Sequence, residues 1–141
     1  MKRIFFFSLF ICSVFSQSIW INEIHYDNYG TDEGEFIEIV ADVTLDLSNG
    51  SITLYNGNSG SSYGSVNLSQ FSEGDSQNGY KVIYYDFPSN GIQNGSPDGA
   101  QLKVDGMIVD GVSYEGTMND SNGNPMEDAG EDYQTSSEDA Q

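Results

Sequence analysis

The sequence predicts an all-β fold, a β-sandwich of about seven short strands. Asn-Gly and Asp-Gly dipeptides, which accept the positive φ angles of tight turns, divide the chain at short intervals. Short segments of apolar or alternating side chains lie between these turns. No apolar stripe recurs at helical spacing over three turns, so the pattern favours strands over helices.

Strands are expected where such segments run between turn signals. The clearest hairpin joins "AQLKV" to "MIVDGVSY" through Asp105-Gly106, because a two-residue turn of this kind matches the twist of its flanking strands. The predicted strands cover approximately residues 19–26, 35–41, 50–56, 63–68, 79–86, 100–104 and 107–114.

The first residues have the features of a secretory signal peptide. Lys2 and Arg3 precede a short apolar run, and small side chains around Phe15 predict cleavage after Ser16, with Ser18 as the alternative. The run is too short to span a bilayer well. Residues 1–16 are therefore assigned to a signal peptide and the protein is expected to be secreted, with the periplasm or the cell surface as other destinations. No membrane span is expected in the rest of the chain.

The remaining chain is strongly acidic. After cleavage, Lys81 and Lys103 stand beside 22 acidic residues, and the only cysteine of the chain is removed with the signal peptide. Such a surface repels phosphate backbones, because nucleic-acid binding requires clustered cations. Direct nucleic-acid binding is not expected. The remaining length suits a single domain, predicted to cover residues 17–116.

The segment "WINEIHYDNYGTDEGEFIEI" concentrates carboxylates among residues typical of strands. Side chains alternate along a strand, so Glu35 and Glu38 lie on opposite faces of "EFIEIV", and both faces are mostly apolar. This pattern predicts an inner strand. Glu35 begins the strand and is expected to stay solvated. Glu38 lies among apolar neighbours and needs a partner, expected to be a backbone N–H or a tyrosine hydroxyl.

The loop between the first two strands, "DNYGTDEG", is polar and contains glycine. Its acidic residues Asp27, Asp32 and Glu33 are predicted to be exposed. A structural role is favoured for Glu38 over a catalytic or metal-binding role, and the other acids of this region are expected to form a solvated surface.

The chain changes character at Thr117. Residues 117–141 contain seven acids, no lysine or arginine and one aromatic residue, Tyr133. They bury too little apolar surface to order themselves, and the sequence predicts a disordered tail or linker.

A calcium loop is the alternative reading of this tail. Oxygen-bearing side chains occupy positions 1, 3, 5, 9 and 12 of such a loop: Asp120, Asn122, Asn124, Asp128 and Glu131. Pro125 stands where these loops need a glycine, and no amphipathic helix flanks the segment. Calcium binding is therefore a secondary hypothesis, and no other cofactor is expected.

No catalytic residue is predicted. His25 is the only histidine, and no G-x-S-x-G pattern places a serine on a sharp turn. Aromatic side chains are the remaining candidates for recognition, since rigid rings offer contact area at a low entropic cost. Most are expected to fill the core. Tyr29 and Tyr63, in or beside glycine-rich loops, are the two binding candidates.

The segments "INEIHYDNYGTDEGEFIEI", "DLSNGSITLYNG", "PSNGIQNGSPDGAQL" and "VDGVSYEG" resemble, in this order, the lamin tail domain of secreted bacterial proteins. The resemblance runs from about Ile19 to Gly116. It implies an immunoglobulin-like β-sandwich. The residues that match the family signature, with a structural role, are Asn22, Glu23, Glu35, Phe36, Ile37 and Glu38. Family members usually continue after "SYEG" into another apolar strand, whereas the tail here is polar, so either the chain is truncated and lacks a closing strand or the fold closes by another route.

The resemblance also implies a function. The expected protein is a secreted, non-catalytic module for binding or tethering, through protein contacts or surface attachment. One alternative is the amino-terminal accessory domain of a truncated extracellular nuclease of the endonuclease/exonuclease/phosphatase type, whose catalysis would lie in a domain absent from this chain. The other is a calcium-binding surface protein.

Overall fold

The computed structural model describes residues 18–130. The predicted signal peptide, residues 1–16, lies outside this range. The strands are β1 (Ile19–His25), β2 (Phe36–Asp42), β3 (Gly50–Asn56), β4 (Ser61–Asn67), β5 (Ser72–Gln77), β6 (Tyr80–Asp86), β7 (Asp98–Val104), β8 (Met107–Tyr114) and β9 (Glu127–Asp128). A short 3-10 helix, Leu68–Gln70, precedes β5. No helix in the described range is long and apolar enough to cross a membrane.

The strands form two sheets. Sheet 1 has the order β1-β2-β6-β5 and is antiparallel throughout. Sheet 2 has the order β4-β3-β7-β8-β9, antiparallel except where β9 runs parallel to β8. The predicted all-β sandwich is confirmed, and each of the seven predicted strands appears within two residues of its expected bounds.

The core lies between the two sheets. Alternation places every second side chain of a strand on the inner side, where it is removed from water. In β2 these are Ile37, Ile39 and Ala41, all fully buried. Sheet 2 contributes the facing side chains Ile52, Leu54, Ala100 and Leu102. As predicted, β2 is an inner strand, paired with β1 on one side and β6 on the other.

Two tight turns set the register of two hairpins. Asp105 and Gly106 have φ angles of 50° and 78° between β7 and β8, which confirms the predicted hairpin. Asn78 and Gly79, at 54° and 85°, make the same kind of turn between β5 and β6. Positive φ at both central residues suits the right-handed twist of the paired strands.

The strand β5 was not predicted. Every residue of "SEGDSQ" is exposed, so the segment lacks the apolar alternation by which a strand is recognised. It forms because the Asn78-Gly79 turn returns the chain alongside β6, which binds it through the backbone at the edge of sheet 1. The sequence feature that indicates β5 is therefore the Asn78-Gly79 turn, since the side chains of the strand itself show no pattern.

The prediction of disorder is wrong for residues 117–130. Met126 is only 8% exposed, and its backbone N–H donates to the Met118 carbonyl at 3.0 Å. Strand β9 then pairs with β8 at Val112 and Ser113. It supplies a short, exposed closing strand, so the fold closes by a route other than an apolar strand. Residues 131–141 lie outside the described range.

Residues 117–130, called here the covering segment, lie against the outer face of sheet 2. Glycines make room for it, since a Cβ at Gly99 would lie 2.8 Å from Met118 Sδ and 3.0 Å from Met126 Cε. Ser121 Oγ also donates to Oε1 of the fully buried Gln101, at 3.2 Å. Met118 and Met126 thus pack against sheet 2, a contact that the polar composition of the segment does not indicate.

Candidate functional site

The outer face of sheet 1 carries half-buried aromatic and aliphatic side chains. Residues that lie opposite each other in adjacent strands share a face. Val40 of β2 alternates with core residues and points outward, between Trp20 of β1 and Val82 of β6. Tyr80 and Tyr84 lie two positions to either side of Val82 and point the same way. These five residues, Trp20, Val40, Tyr80, Val82 and Tyr84, are called the aromatic face.

Contacts between side chains fix the position of the tryptophan. The rings of Trp20 and Tyr80 meet edge to face, with centroids 5.4 Å apart and an interplanar angle of 63°. Trp20 Nε1 donates to Asn22 Oδ1 at 3.4 Å. Asn22 Nδ2 in turn donates to Glu38 Oε1 at 2.7 Å. These contacts hold the Trp20 ring against Tyr80 and Asn22.

Carboxylates border the aromatic face. The register places four acidic residues on this outer side, called the acidic rim: Glu23, Glu38, Asp42 and Asp86. Hydrogen bonds from the side chain and the backbone N–H of Thr44 lower the pKa of Asp42, so that this carboxylate stays ionised.

The two lysines of the described range lie away from this face. Lys81 is paired with Ala41, which points into the core, and its Nζ lies 4.0 Å from Glu73 Oε1. Lys103 belongs to β7 in sheet 2. Among the described residues, the outer side of sheet 1 therefore presents negative charge without lysine or arginine.

The partner of Glu38 differs from the expected one. Glu38 is half-buried on the outer side of the sheet, and its carboxylate accepts from the side-chain amide of Asn22. A backbone N–H or a tyrosine hydroxyl had been expected. The reason is a β-bulge between Ile21 and Glu23, which sets Asn22 beside Glu38 across the two strands.

The prediction that Glu35 stays solvated is wrong. Glu35 is fully buried, with Oε2 accepting the Gly91 N–H at 2.7 Å and Oε1 accepting the Ile92 N–H at 3.0 Å. Its own carbonyl accepts the Phe87 N–H at 2.8 Å. Glu35 points to the core side of β2 and anchors the loop that leads from β6 to β7.

Asp32, predicted to be exposed, is only 7% exposed. Its Oδ1 accepts the Asn28 N–H at 3.2 Å and its Oδ2 accepts from Asn94 Nδ2 at 3.4 Å. The same amide donates to Asp27, which is half-buried, at 3.2 Å. Glu33 is exposed, as expected. Asp27 and Asp32, which both accept from Asn94, therefore join the loop before β2 to the loop before β7.

Asp98 anchors the other end of the β6–β7 loop. It is fully buried, and its carboxylate accepts the Gly57 N–H at 3.1 Å and the Gly95 N–H at 2.9 Å. Burial raises the pKa of Asp98, against the effect of these two hydrogen bonds. Together with Glu35, it bonds the backbone at Gly91, Ile92 and Gly95.

Tyr63 belongs to this buried network. Its hydroxyl lies 3.5 Å from that of Tyr114 and accepts the Gln93 N–H at 2.9 Å, while Tyr114 donates to the Gln93 carbonyl at 3.0 Å. Burial raises the pKa of both tyrosines, so they stay neutral hydrogen-bonding groups. Of the two binding candidates from the sequence, Tyr29 is 71% exposed in the β1–β2 loop, whereas Tyr63 is half-buried in β4.

The signature residues of the suggested family lie in β1, at the end of the following loop and in β2. Glu23 and Glu38 are opposite each other in the register, and Ile37 is fully buried. Phe36 is half-buried beside the His25 ring, at a centroid distance of 6.0 Å. Asn22 and Glu35 make the hydrogen bonds described above.

The structure places the described calcium candidates in two elements, a turn at Asp120 and strand β9. Asp120 Oδ1 accepts the backbone N–H groups of Asn122 and Asn124, each at 2.8 Å, and its Oδ2 accepts from Asn124 Nδ2 at 3.1 Å. Asp128 lies in β9 and accepts the Gly130 N–H at 2.9 Å. Within residues 18–130, no group of three or more His, Cys, Asp or Glu side chains could hold a metal. Glu131 lies outside that range.

A groove of about 520 Å³ lies between β1 and the covering segment. Apolar side chains such as Ile21 and Val112 line it together with Glu23 and Glu127. The Ile21 N–H donates to Asp110 Oδ2 at 2.7 Å, which ties β1 to β8 next to this groove. The groove is thus lined by apolar and acidic side chains together, and its described residues do not gather several polar groups at one point.

Reasoning from the sequence did not single out the aromatic face. Trp20, Tyr80 and Tyr84 belong to the aromatic residues of the chain, but proximity to glycine-rich loops favours Tyr29 and Tyr63. The available signal was the alternation in "YKVIYYD", which sets Tyr80, Val82 and Tyr84 on one side and Ile83 on the other. Which side faces the core depends on the packing of sheet 2.

Comparison with known proteins returns no relative. No family model, no curated protein and no solved structure matches the chain. The resemblance to the lamin tail domain therefore rests on the order of the quoted motifs alone and stays a prediction.

Proposed function

We propose that the protein is a secreted, non-catalytic module of the lamin-tail, immunoglobulin-like type, which binds or tethers another molecule through the aromatic face. One observation carries this proposal. The covering segment packs on the outer face of sheet 2, whereas the aromatic side chains on the outer face of sheet 1 keep part of their surface in contact with solvent.

The chemistry of the face suits binding. Contiguous apolar patches with polar borders mark interaction sites, and aromatic rings contribute much contact area for few rotatable bonds. The Trp20–Tyr80 contact and the Asn22 hydrogen bonds order the site in advance, which lowers the entropic cost of association.

The buried acids support a role without catalysis. Glu35 and Asp98 each accept two backbone N–H groups of the loops around them. A carboxylate occupied in this way holds structure together and is removed from solvent and from any substrate. The polar network under the β6–β7 loop is accordingly assigned to stability.

A fragment screen by nuclear magnetic resonance tests the binding face without knowledge of the partner. A mixture of small aromatic, cationic and sugar compounds is added to the isotope-labelled protein. We expect the largest chemical-shift changes at Trp20, Val40 and Tyr84, because small compounds gather where a protein has its binding hot spots.

A Tyr84→Ala variant should lose these shift changes, and Tyr29→Ala, which removes an exposed ring from a loop, should keep them. Shift changes that concentrate in the groove between β1 and the covering segment, or that spread evenly over the surface, would contradict the proposed face.

Secretion is tested separately by expressing the full chain in a bacterial host and sequencing the amino terminus of the exported protein. We expect the exported protein to begin at Gln17, the residue that follows the predicted cleavage after Ser16. Material that stays inside the cell with Met1 or Lys2 at its start would contradict the secretory assignment.

A further inference from the structure

We propose that the partner of the aromatic face is a basic protein segment, whose lysine and arginine side chains lie on the rings of Trp20, Tyr80 and Tyr84. This inference rests on the proposed function and adds the chemistry of the partner. It follows from the combination of aromatic rings, carboxylates and net charge on one side of the sandwich.

Aromatic rings attract cations through their negative faces, and tryptophan does so most strongly. The edge-to-face contact with Tyr80 covers an edge of one ring and orients the pair. Tyr84 lies four residues from Tyr80 on the same side of β6, which corresponds to about 13 Å along an extended strand. An extended segment with several basic side chains can reach both ends of this row.

The acidic rim supplies the complementary charge. Glu23 and Asp86 are exposed, and the ionised Asp42 lies opposite Tyr80 in the register. A guanidinium or ammonium group placed on the Tyr80 ring would have the Asp42 carboxylate beside it, because the two residues are opposite each other in adjacent strands. Since neither lysine of the described range lies on this face, a basic partner meets no repulsion there.

Net charge acts at longer range. The chain carries a formal charge of −18, which attracts basic molecules and raises their association rate at low salt. The same charge opposes nucleic acids and anionic polysaccharides. A neutral polysaccharide could stack on the same rings, but it would gain nothing from the carboxylates around them.

Trp20 gives a direct readout, because it is the only tryptophan in the chain and belongs to the face. The full chain is titrated with a deca-arginine peptide and, separately, with hydroxyethylcellulose, a neutral polysaccharide, while Trp20 fluorescence is recorded. We expect the peptide to change the emission of Trp20 and its affinity to fall steeply as salt is added.

Two variants with the same change in net charge separate a site from general attraction. Glu23→Gln combined with Asp86→Asn removes two charges from the rim, and Glu33→Gln combined with Asp105→Asn removes two exposed charges elsewhere. We expect the first pair to lower the affinity for the peptide about tenfold and the second pair to lower it about twofold. Tyr84→Ala should lower this affinity about fivefold, whereas Tyr84→Phe, which keeps the ring, should bind like wild type.

The proposal would be overturned if the two charge variants lost the same affinity for the peptide. It would also be overturned if Tyr84→Phe bound the peptide as weakly as Tyr84→Ala. Binding of hydroxyethylcellulose without any effect of salt, and no response to the peptide, would also overturn it while leaving the aromatic face as a binding site. If neither probe affects Trp20 and the fragments do not gather at the face, the proposed function itself fails.

Discussion

At the scale of single residues, the buried carboxylates act as anchors for backbone. Glu35 and Asp98 are fully buried, and each accepts two backbone N–H groups from the loops around it. Glu38, in strand β2, is half-buried, and its carboxylate accepts from one side chain, that of Asn22. Glu35 and Asp98 should therefore contribute more to stability than Glu38 does.

Replacing Glu35 by alanine tests the anchor. The change leaves the N–H groups of Gly91 and Ile92 without an acceptor, and we expect a loss of about 3 kcal/mol in the free energy of unfolding. Glu38→Ala should cost less than about 1 kcal/mol, since its partner can turn to water. Chemical denaturation measures both, with the exposed Glu33→Ala as the control. Equal midpoints for Glu35→Ala and Glu33→Ala would contradict the assignment.

Asp98 should make stability depend on pH. Burial raises its pKa above the ordinary value of 3.8, so the folded chain holds this proton more tightly than the unfolded chain does. Its contribution is fully present below 3.8 and is lost as the pH rises through the raised folded value. Asp98→Asn removes this dependence.

The stability of Asp98→Asn relative to wild type should therefore increase as the pH rises above the ordinary value of 3.8, whatever the constant offset between the two proteins. Denaturant midpoints at a series of pH values measure the difference. A difference that stays constant over this range, or that changes in the opposite direction, would show that the pKa of Asp98 is not raised.

The sequence identifies the two faces of β2 but not which of them is buried. Alternation correctly separates Glu35 and Ile37 from Phe36 and Glu38. Both sets are mostly apolar, so local pattern cannot choose between them. The choice is made by sheet 2 and by the loop at Gly91 and Ile92, which are distant in sequence.

At the scale of elements, turns were the most informative signals and polar strands the least. The Asp105-Gly106 dipeptide predicted its hairpin, because the positive φ angles it favours are required there. The same logic applied to Asn78-Gly79 would have located β5, whose own side chains carry no signal. The covering segment was missed because its order depends on Met118 and Met126 meeting glycines on another strand.

The contact between the covering segment and sheet 2 can be tested with one methyl group. In Gly99→Ala the new Cβ would lie 2.8 Å from both Met118 Sδ and the Val112 carbonyl oxygen, so we expect a loss of about 1–3 kcal/mol in stability. Gly64→Ala is the control, because its Cβ would meet only Leu54 Cδ1 at 3.7 Å. Thermal unfolding compares the two variants. A smaller loss for Gly99→Ala than for Gly64→Ala would contradict the packing described here.

At the scale of the whole molecule, charge opposes compaction. The chain of 141 residues has a formal charge of −18, and folding brings its like charges closer together, which increases their mutual repulsion. Dissolved ions screen this repulsion. The anchors and the apolar core must outweigh this repulsion at neutral pH. The composition predicted this property directly, because it depends on the number of charges and hardly on their arrangement.

Salt should therefore stabilise the fold. We expect the thermal midpoint to rise between about 10 mM and about 500 mM NaCl, as the repulsion is screened. Calcium and magnesium chloride at equal concentration should then give equal midpoints if screening alone acts. A calcium-specific rise that Glu131→Gln abolishes would instead establish the calcium loop.

The position of β5 affects how copies of the protein behave toward each other. An outermost strand offers its backbone as a template on which a further chain could add, and such addition leads to fibrils. Here that strand is short, wholly polar and bears Glu73 and Asp75, so an approaching copy meets like charge and finds no apolar surface to cover. We therefore expect this edge of sheet 1 to resist pairing with a second copy, while the aromatic face beside it keeps its contact with solvent.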